Sequence, residues 1–263
     1  MPRINTDKQL QQVQRLGFCY FCGDGFTAED GPQRRTRDHV PPRAVFRPID
    51  LARAPLILPA HESCNGGNSD RDELVGQLAS LLHRRPIRPE NFRLSATLFL
   101  NEVEGDVAGL TGIELEETVW RWVRASHTAL YSEFLPDDAL GSIMPPFPTG
   151  RVQESVLTFE GAAPSMRELS FQLGANMRSG TVDELFAFTQ KYRYACTWLT
   201  ADDGSPFCIF GVRLYDWERM TDTRKFPERA CLGWYQHARP PGASVGTNFG
   251  PMPIAWLNLN PFR

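Results

Sequence analysis

Four residues near the N-terminus have the types and spacing to hold a metal. Cys19-x-x-Cys22 and His61-x-x-Cys64 are two half-knuckles separated by 38 residues. Together they offer three thiolates and one imidazole to a tetrahedral ion, which is the donor set of a structural zinc site with no open position. Gly23 and Gly25 follow the second cysteine, where a chain wrapping round an ion needs backbone freedom. A lone CxxC can also be a redox pair. That use opens a helix within a thioredoxin-like βαβ pattern, and no such pattern surrounds Cys19. Cys196, Cys208 and Cys231 are scattered among aromatic and β-branched residues and read as core thiols.

Between the half-knuckles lies Arg37-Asp38-His39-Val40-Pro41-Pro42, and the second one continues as Cys64-Asn65-Gly66-Gly67-Asn68. A knuckle, Asp-His-Val-x-Pro, a Pro-rich loop, an apolar strand, a second knuckle and then Asn at a helix start resembles the HNH endonuclease family, with its ββα-metal fold. The resemblance covers roughly residues 15–85. It implies that Asp38 binds a catalytic divalent cation, Mg²⁺ or Mn²⁺, and that His39 activates the attacking water. It also implies that Asn65 supplies the second contact to that cation, with Asn68, one turn on, as the substitute if the register differs. The implied reaction is endonucleolytic hydrolysis of phosphodiester bonds, most readily in DNA, leaving 5′-phosphates. An imidazole with an ordinary pKa of about 6.5 suits proton abstraction at physiological pH. A hard cation held by one carboxylate and one amide oxygen keeps positions for phosphate oxygens and water.

The family commonly carries a middle Asn that holds the catalytic His, and Leu56 stands in its place. Leucine neither donates nor accepts a hydrogen bond. Either a backbone carbonyl orients His39, or a loop residue such as Asp50 does so, or the nuclease is weak or inactive.

Charge is unevenly placed. The chain is −3 overall, but residues 1–95 hold 14 Lys+Arg against 11 Asp+Glu, leaving 14 against 20 for the remainder. Arg34, Arg35, Arg37, Arg43, Arg47 and Arg53 crowd residues 31–53, with only Asp38 and Asp50 against them. The first five are the candidate nucleic-acid contacts, since guanidinium groups grip phosphate oxygens in pairs. The plainer reading is a solvated loop in a chain whose only lysines are Lys8, Lys191 and Lys225.

Residues 7–16 predict a short helix with Leu10, Val13 and Leu16 on one side. Residues 37–40 and 56–58 predict short strands, on either side of a Pro-rich loop. A helix should start at residues 65–69 and run to about 83, with Leu74, Leu78, Leu81 and Leu82 on one face. Pro86 and Pro89 end it, and a domain boundary is expected near residue 90. Beyond it, residues 114–135 predict a helix carrying Val119, Trp122, Val123 and Leu130 at helical spacing. Residues 141–150 predict a Pro-rich connector, and residues 152–159, 192–199, 207–214 and 231–237 predict strands. The expected fold class is α+β, a zinc-stapled ββα-metal module over residues 1–90 followed by a larger α+β region over residues 91–263.

A chain of 263 residues, 41% apolar and 22% charged, is ordinary globular composition, so disordered and fibrous classes are excluded. The apolar run at residues 54–60 is far too short to span a membrane, and a cytoplasmic location is the default expectation. Two rivals stand beside the nuclease. One is a degenerate module that uses zinc and arginines to hold nucleic acid without cutting it. The other places the activity in residues 91–263, as a ligand-sensing or partner-binding region. The acidic balance of that region makes regulation or homo-oligomerisation a better expectation for it than DNA contact.

Overall fold

The computed structural model describes residues 1–27, 30–46, 54–82, 97–101, 107–111, 115–137, 139, 141–144, 166–214 and 231–250. The class is α+β. Arg47, Arg53, Asp50, His83, the expected boundary near residue 90 and the expected strand at residues 152–159 lie outside the described residues.

The chain opens with β1 (Arg3–Ile4) and α1 (Asp7–Val13). Thr6 caps α1 in a reciprocal capping box with Gln9, and Leu10 and Val13 bury the face the sequence predicts. The helix stops three residues short of the expected end. There the Arg35 guanidinium donates to the Gln14 carbonyl, supplying the donor and positive charge that a helix C-terminus favours.

Two strands carry the candidate site. β2 (Arg35–His39) and β3 (Ile57–His61) pair antiparallel, with Arg35 opposite His61, Asp38 opposite Leu58 and His39 opposite Ile57. Every residue of β3 is buried. The helix expected to start at residues 65–69 is α3 (Ser69–Leu82), and a short helix that was not expected, α2 (Glu62–Gly66), precedes it. The break at Gly67 and Asn68 is held locally. Asn68 Nδ2 donates to the Cys64 carbonyl at 2.9 Å and Ser69 Oγ to the Gly66 carbonyl at 3.1 Å.

β4 (Thr97–Asn101) and β5 (Val107–Thr111) form a separate antiparallel pair. α4 (Leu115–Tyr131) ends where Ser132 takes a left-handed backbone with φ 57°. Residues 118, 119 and 121–129 of α4 are all buried, so this helix is central and not a one-faced surface helix. Trp122 is core as expected, while Trp120 and Leu130 are only half-buried.

A six-stranded sheet completes the fold. Its members are β6 (Gly141–Met144), β7 (Asp183–Ala187), β8 (Tyr192–Thr200), β9 (Pro206–Leu214) and β10 (Cys231–Gln236), together with β1, in the order β1-β7-β8-β9-β10-β6. β1 runs parallel to β7, and every other pairing is antiparallel. β6 corrects the expected connector at its start, because Gly141–Met144 fills the open edge of β10. Gly141 fits only as glycine, since a Cβ there would lie 2.8 Å from the Trp234 carbonyl oxygen. α5 (Met166–Ser179) was not foreseen. Cys196, Cys208 and Cys231 are buried, as their surroundings predict.

One buried cluster draws residues from both sides of position 90, among them Tyr20, Leu56, Val75, Val123, Leu185 and Trp198. The turn between β7 and β8 makes a further join. Phe188 stacks on Phe46 with ring centroids 4.0 Å apart, and its N–H donates to the Ala54 carbonyl at 2.6 Å. Phe188, Thr189 and Gln190 all hold positive φ there, a strained turn kept in place by that packing.

Candidate metal centre and its surroundings

The four ligands predicted from spacing converge. The ligand atoms of Cys19, Cys22, His61 and Cys64 all lie within 4.8 Å of one another, and all three thiols are free of disulfides. Bond lengths of about 2.1 to 2.3 Å round a tetrahedral zinc place neighbouring ligand atoms about 3.5 Å apart. Cys22 Sγ is 3.3 Å from His61 Nδ1, which suits that geometry. The other ring nitrogen, Nε2, is 3.3 Å from the Gly25 carbonyl oxygen. That contact fixes the tautomer that leaves Nδ1 facing the thiolates, as outer partners of metal-bound histidines do. The knuckle is formed by backbone bonds: Gly23 N–H donates to the Cys19 carbonyl and Cys19 N–H to the Asp24 carbonyl, each at 2.8 Å. Burial pushes the Cys22 thiol up to about 12, with the backbone bond from Asp24 opposing the rise and the neighbouring Cys19 and Cys64 adding to it. A cation at the centre of the quartet is what would hold these thiols as thiolates. The residues present fit a structural zinc.

β2 divides the remaining candidates between two faces, because side chains alternate along a strand. Arg35, Arg37 and His39 share one face. A groove of about 820 Å³ opens there between α1 and the strand pair, lined by Gln14, Arg15, Arg35, Arg37, Pro55 and Ile57 among others. Arg37 donates to Gln14 Oε1 at 3.1 Å, and Arg35 lies over the Phe26 ring at 5.2 Å. His39 is half-buried opposite Ile57. Burial lowers its pKa from the ordinary 6.5, Arg43 and Arg37 add to the drop, and Asp38 opposes it. Arg43 is exposed on the short 3-10 helix Arg43–Val45, while Arg34 is tied to Glu62 at 2.5 Å.

Thr36 and Asp38 take the other face, toward the helices. Asn65 Nδ2 reaches Thr36 Oγ1 at 3.4 Å, so Asn65 meets the strand that carries Asp38. Asn68 turns its amide to the Cys64 carbonyl instead.

Asp38 itself is only 3% exposed. Nη2 of Arg121, on α4, lies 2.7 Å from both of its carboxylate oxygens, and the Tyr20 hydroxyl donates to one of them. Arg121 also donates from Nη1 to Asp72 at 2.5 Å and from Nε to the Tyr20 oxygen at 3.1 Å. Burial works against the guanidinium charge, but Tyr20, Asp38 and Asp72 together hold its pKa above the ordinary value. Burial, then the Asp38 charge, raises the Tyr20 hydroxyl well above its ordinary range. In this arrangement the residues do not fit a divalent cation at Asp38, because a guanidinium already supplies the positive charge there and water is excluded.

Leu56 is fully buried, and its carbonyl accepts the Val40 N–H at 3.1 Å. That carbonyl therefore serves the strand ladder next to His39. Tyr20, Asp72, Arg121 and Arg124 were not foreseen as part of this region. Arg124 donates to the Phe21 carbonyl inside the Cys19–Cys22 knuckle and to Asp137 at 2.7 Å. The available signal was two arginines three residues apart on an apolar helix, since a charge on a buried face needs a partner.

No known protein family, curated protein or solved structure matches this chain. Among the described residues, no helix is long and apolar enough to cross a membrane.

Proposed function

We propose that residues 1–90 form an HNH-type nuclease module that hydrolyses phosphodiester bonds in DNA. The observation that carries this reading is the convergence of the Cys19, Cys22, His61 and Cys64 ligand atoms. It ties the first knuckle to the end of β3 and to α2, which carries Asn65, while β3 pairs with β2, which carries Asp38 and His39, in the order the resemblance implies. The groove lined by Arg15, Arg35 and Arg37 offers phosphates a basic wall. His39, on the arginine side of the strand, stays neutral at physiological pH and can take a proton from a water placed against a bound phosphate. Asp38 gives no such service while Arg121 is on it.

That ion pair favours a second reading, a zinc-stapled module that grips nucleic acid through the same groove without cutting it. The buried Leu56 points the same way. Purified full-length protein incubated with plasmid and single-stranded DNA, with and without Mg²⁺ or Mn²⁺, separates the two. Cation-dependent cleavage that is lost in His39→Ala supports the nuclease. Binding in a mobility-shift assay without cleavage under any of these conditions overturns it in favour of the binder, and neither binding nor cleavage overturns both.

A further inference from the structure

We infer that Arg124 is a positioning residue of the metal centre: from α4, 103 residues along the chain from Phe21, its guanidinium fixes the peptide that leads into Cys22, and with it how firmly the quartet holds its ion. The inference rests on the quartet of Cys19, Cys22, His61 and Cys64 as a zinc site. It gives residues beyond position 90 a part in that site, although every ligand lies before it.

Both residues between Cys19 and Cys22 turn to α4. The Phe21 carbonyl accepts from Arg124 Nη2, and the Phe21 ring lies 5.3 Å from the Arg121 guanidinium. The Tyr20 hydroxyl accepts from Arg121 Nε at 3.1 Å. The residues after α4 close on the same turn. Gly23, at φ 82°, has no room for a side chain, because a Cβ there would stand 2.9 Å from the Phe134 ring. Arg124 lies over that ring at 5.6 Å. Arg124 is itself firmly seated: it donates from Nε to the Leu135 carbonyl at 3.0 Å and from Nη1 to Asp137 at 2.7 Å. A guanidinium is a rigid planar fork, so two nitrogens fixed on residues 135 and 137 decide where the third one points. The carbonyl it meets belongs to the planar peptide between Phe21 and Cys22, so pinning that oxygen sets the direction in which the Cys22 side chain leaves the chain. The bonds within the knuckle use other carbonyls, those of Cys19 and Asp24. Charge suits the arrangement too, since a zinc on three thiolates and a neutral imidazole bears one net negative charge. The coupling runs both ways: what Arg124 adds to the hold on the ion, the ion adds to the hold on α4.

The test is competition for zinc between full-length protein and a colour-forming chelator, together with the visible absorption of the Co²⁺-loaded protein. Wild type, Arg124→Gln, Arg124→Lys, Asp137→Asn and Arg193→Met are compared, with far-UV circular dichroism confirming the fold. Arg193, on β8, is as buried as Arg124, each 5% exposed, and its ion-pair partner Glu184 lies in the sheet, so Arg193→Met reports general destabilisation. Arg124→Gln should weaken zinc binding by about 10- to 100-fold, the usual cost of losing a group that orients a metal ligand from outside. It should also shift the Co²⁺ bands, whereas Arg193→Met should keep wild-type affinity and bands. Arg124→Lys retains the charge and a donor, and should recover part of the loss. Asp137 is 80% exposed, so Asp137→Asn loosens Arg124 without opening a cavity. It should weaken zinc in the same direction by less, and covers the case in which Arg124→Gln fails to fold. Wild-type affinity and bands in whichever of these two variants fold overturn the positioning role. So does an equal loss in Arg193→Met. Wild type that holds neither zinc nor Co²⁺ overturns the metal centre itself, so the two can fail separately.

Discussion

One nitrogen of Arg121 lies 2.7 Å from both carboxylate oxygens of Asp38, although 83 residues separate the two in sequence. The contact ties the strand that carries the Asp-His pair to a helix that no motif connects with it. Both side chains are nearly sealed from solvent, so the pair is a buried ion pair whose partners depend on one another. Its hydroxyl companion gives the first prediction. Tyr20→Phe removes a donor to Asp38 and an acceptor from Arg121, and should destabilise the fold by about 1 to 3 kcal/mol. Urea denaturation of the two proteins checks it, and equal midpoints would show that the hydroxyl contributes nothing.

Zinc content is the second prediction. Elemental analysis should find about one zinc per chain for the four-ligand set. Cys22→Ser and Cys64→Ser should each lose the ion and with it most of the soluble yield, because binding a structural zinc is coupled to folding. Retention of zinc and solubility in both variants would remove the structural role from these residues.

The third prediction concerns His39. His39→Ala should lower any cleavage by about 10² to 10⁴ while zinc content and melting temperature change little, as expected for loss of a general base. Because burial and Arg43 lower the His39 pKa below 6.5, the base is already free in mildly acidic buffer. Rate should therefore climb with pH and pass its half-maximum below pH 6.5. A profile still climbing steeply at pH 7.5 would point to a different proton acceptor.

Leu56→Asn supplies a fourth test. The side chain is fully enclosed, so an amide there would lack a partner and cost about 1 to 3 kcal/mol. The expected outcome is a lower melting temperature without a faster reaction. A large rate gain at unchanged stability would instead mean that the natural protein is an impaired nuclease.

A fifth follows from His127, which is buried on α4 with Nδ1 2.9 Å from the Tyr235 hydroxyl. Burial, then His237, pushes its pKa down to about 3. The unfolded chain takes up this proton near 6.5 and the folded chain does not until about 3. Its contribution to stability is thus complete above pH 6.5 and declines as pH falls from 6.5 toward 3. Melting temperatures at pH 7.5 and 5.0 should differ less in His127→Gln than in wild type. His237, whose pKa burial also lowers, should keep the variant's difference above zero. Equal differences in the two proteins would assign the acid sensitivity elsewhere.

The quartet was legible because ligand spacing is local chemistry: two residues between donors suffice to turn a chain round an ion, and both pairs carry that spacing. The strands at 35–39, 192–200 and 206–214 were legible as short runs bounded by proline or turn residues, within a residue or two of their ends. The break between α2 and α3 was not, because it depends on Asn68 and Ser69 turning back onto carbonyls that only exist once the knuckle is closed. The partner of Asp38 was not legible either. An Asp-His pair reads alike whether the acid meets a metal or a guanidinium, and what settles it is a helix placed by tertiary packing.

The two-residue strand β1 carries a consequence for how the chain is made. Ile4 is paired with Leu185, about 180 residues further on, and at a synthesis rate of about 5 to 20 residues per second that partner follows by roughly 9 to 36 seconds. For that interval the first edge of the six-stranded sheet has nothing to join, and Tyr20 and Asp38 likewise wait for Arg121. The Cys19–Cys22–His61–Cys64 quartet needs only residues up to Cys64, so a metal bound there would be captured first and would hold this stretch in shape on the ribosome until the rest of the sheet is delivered to it.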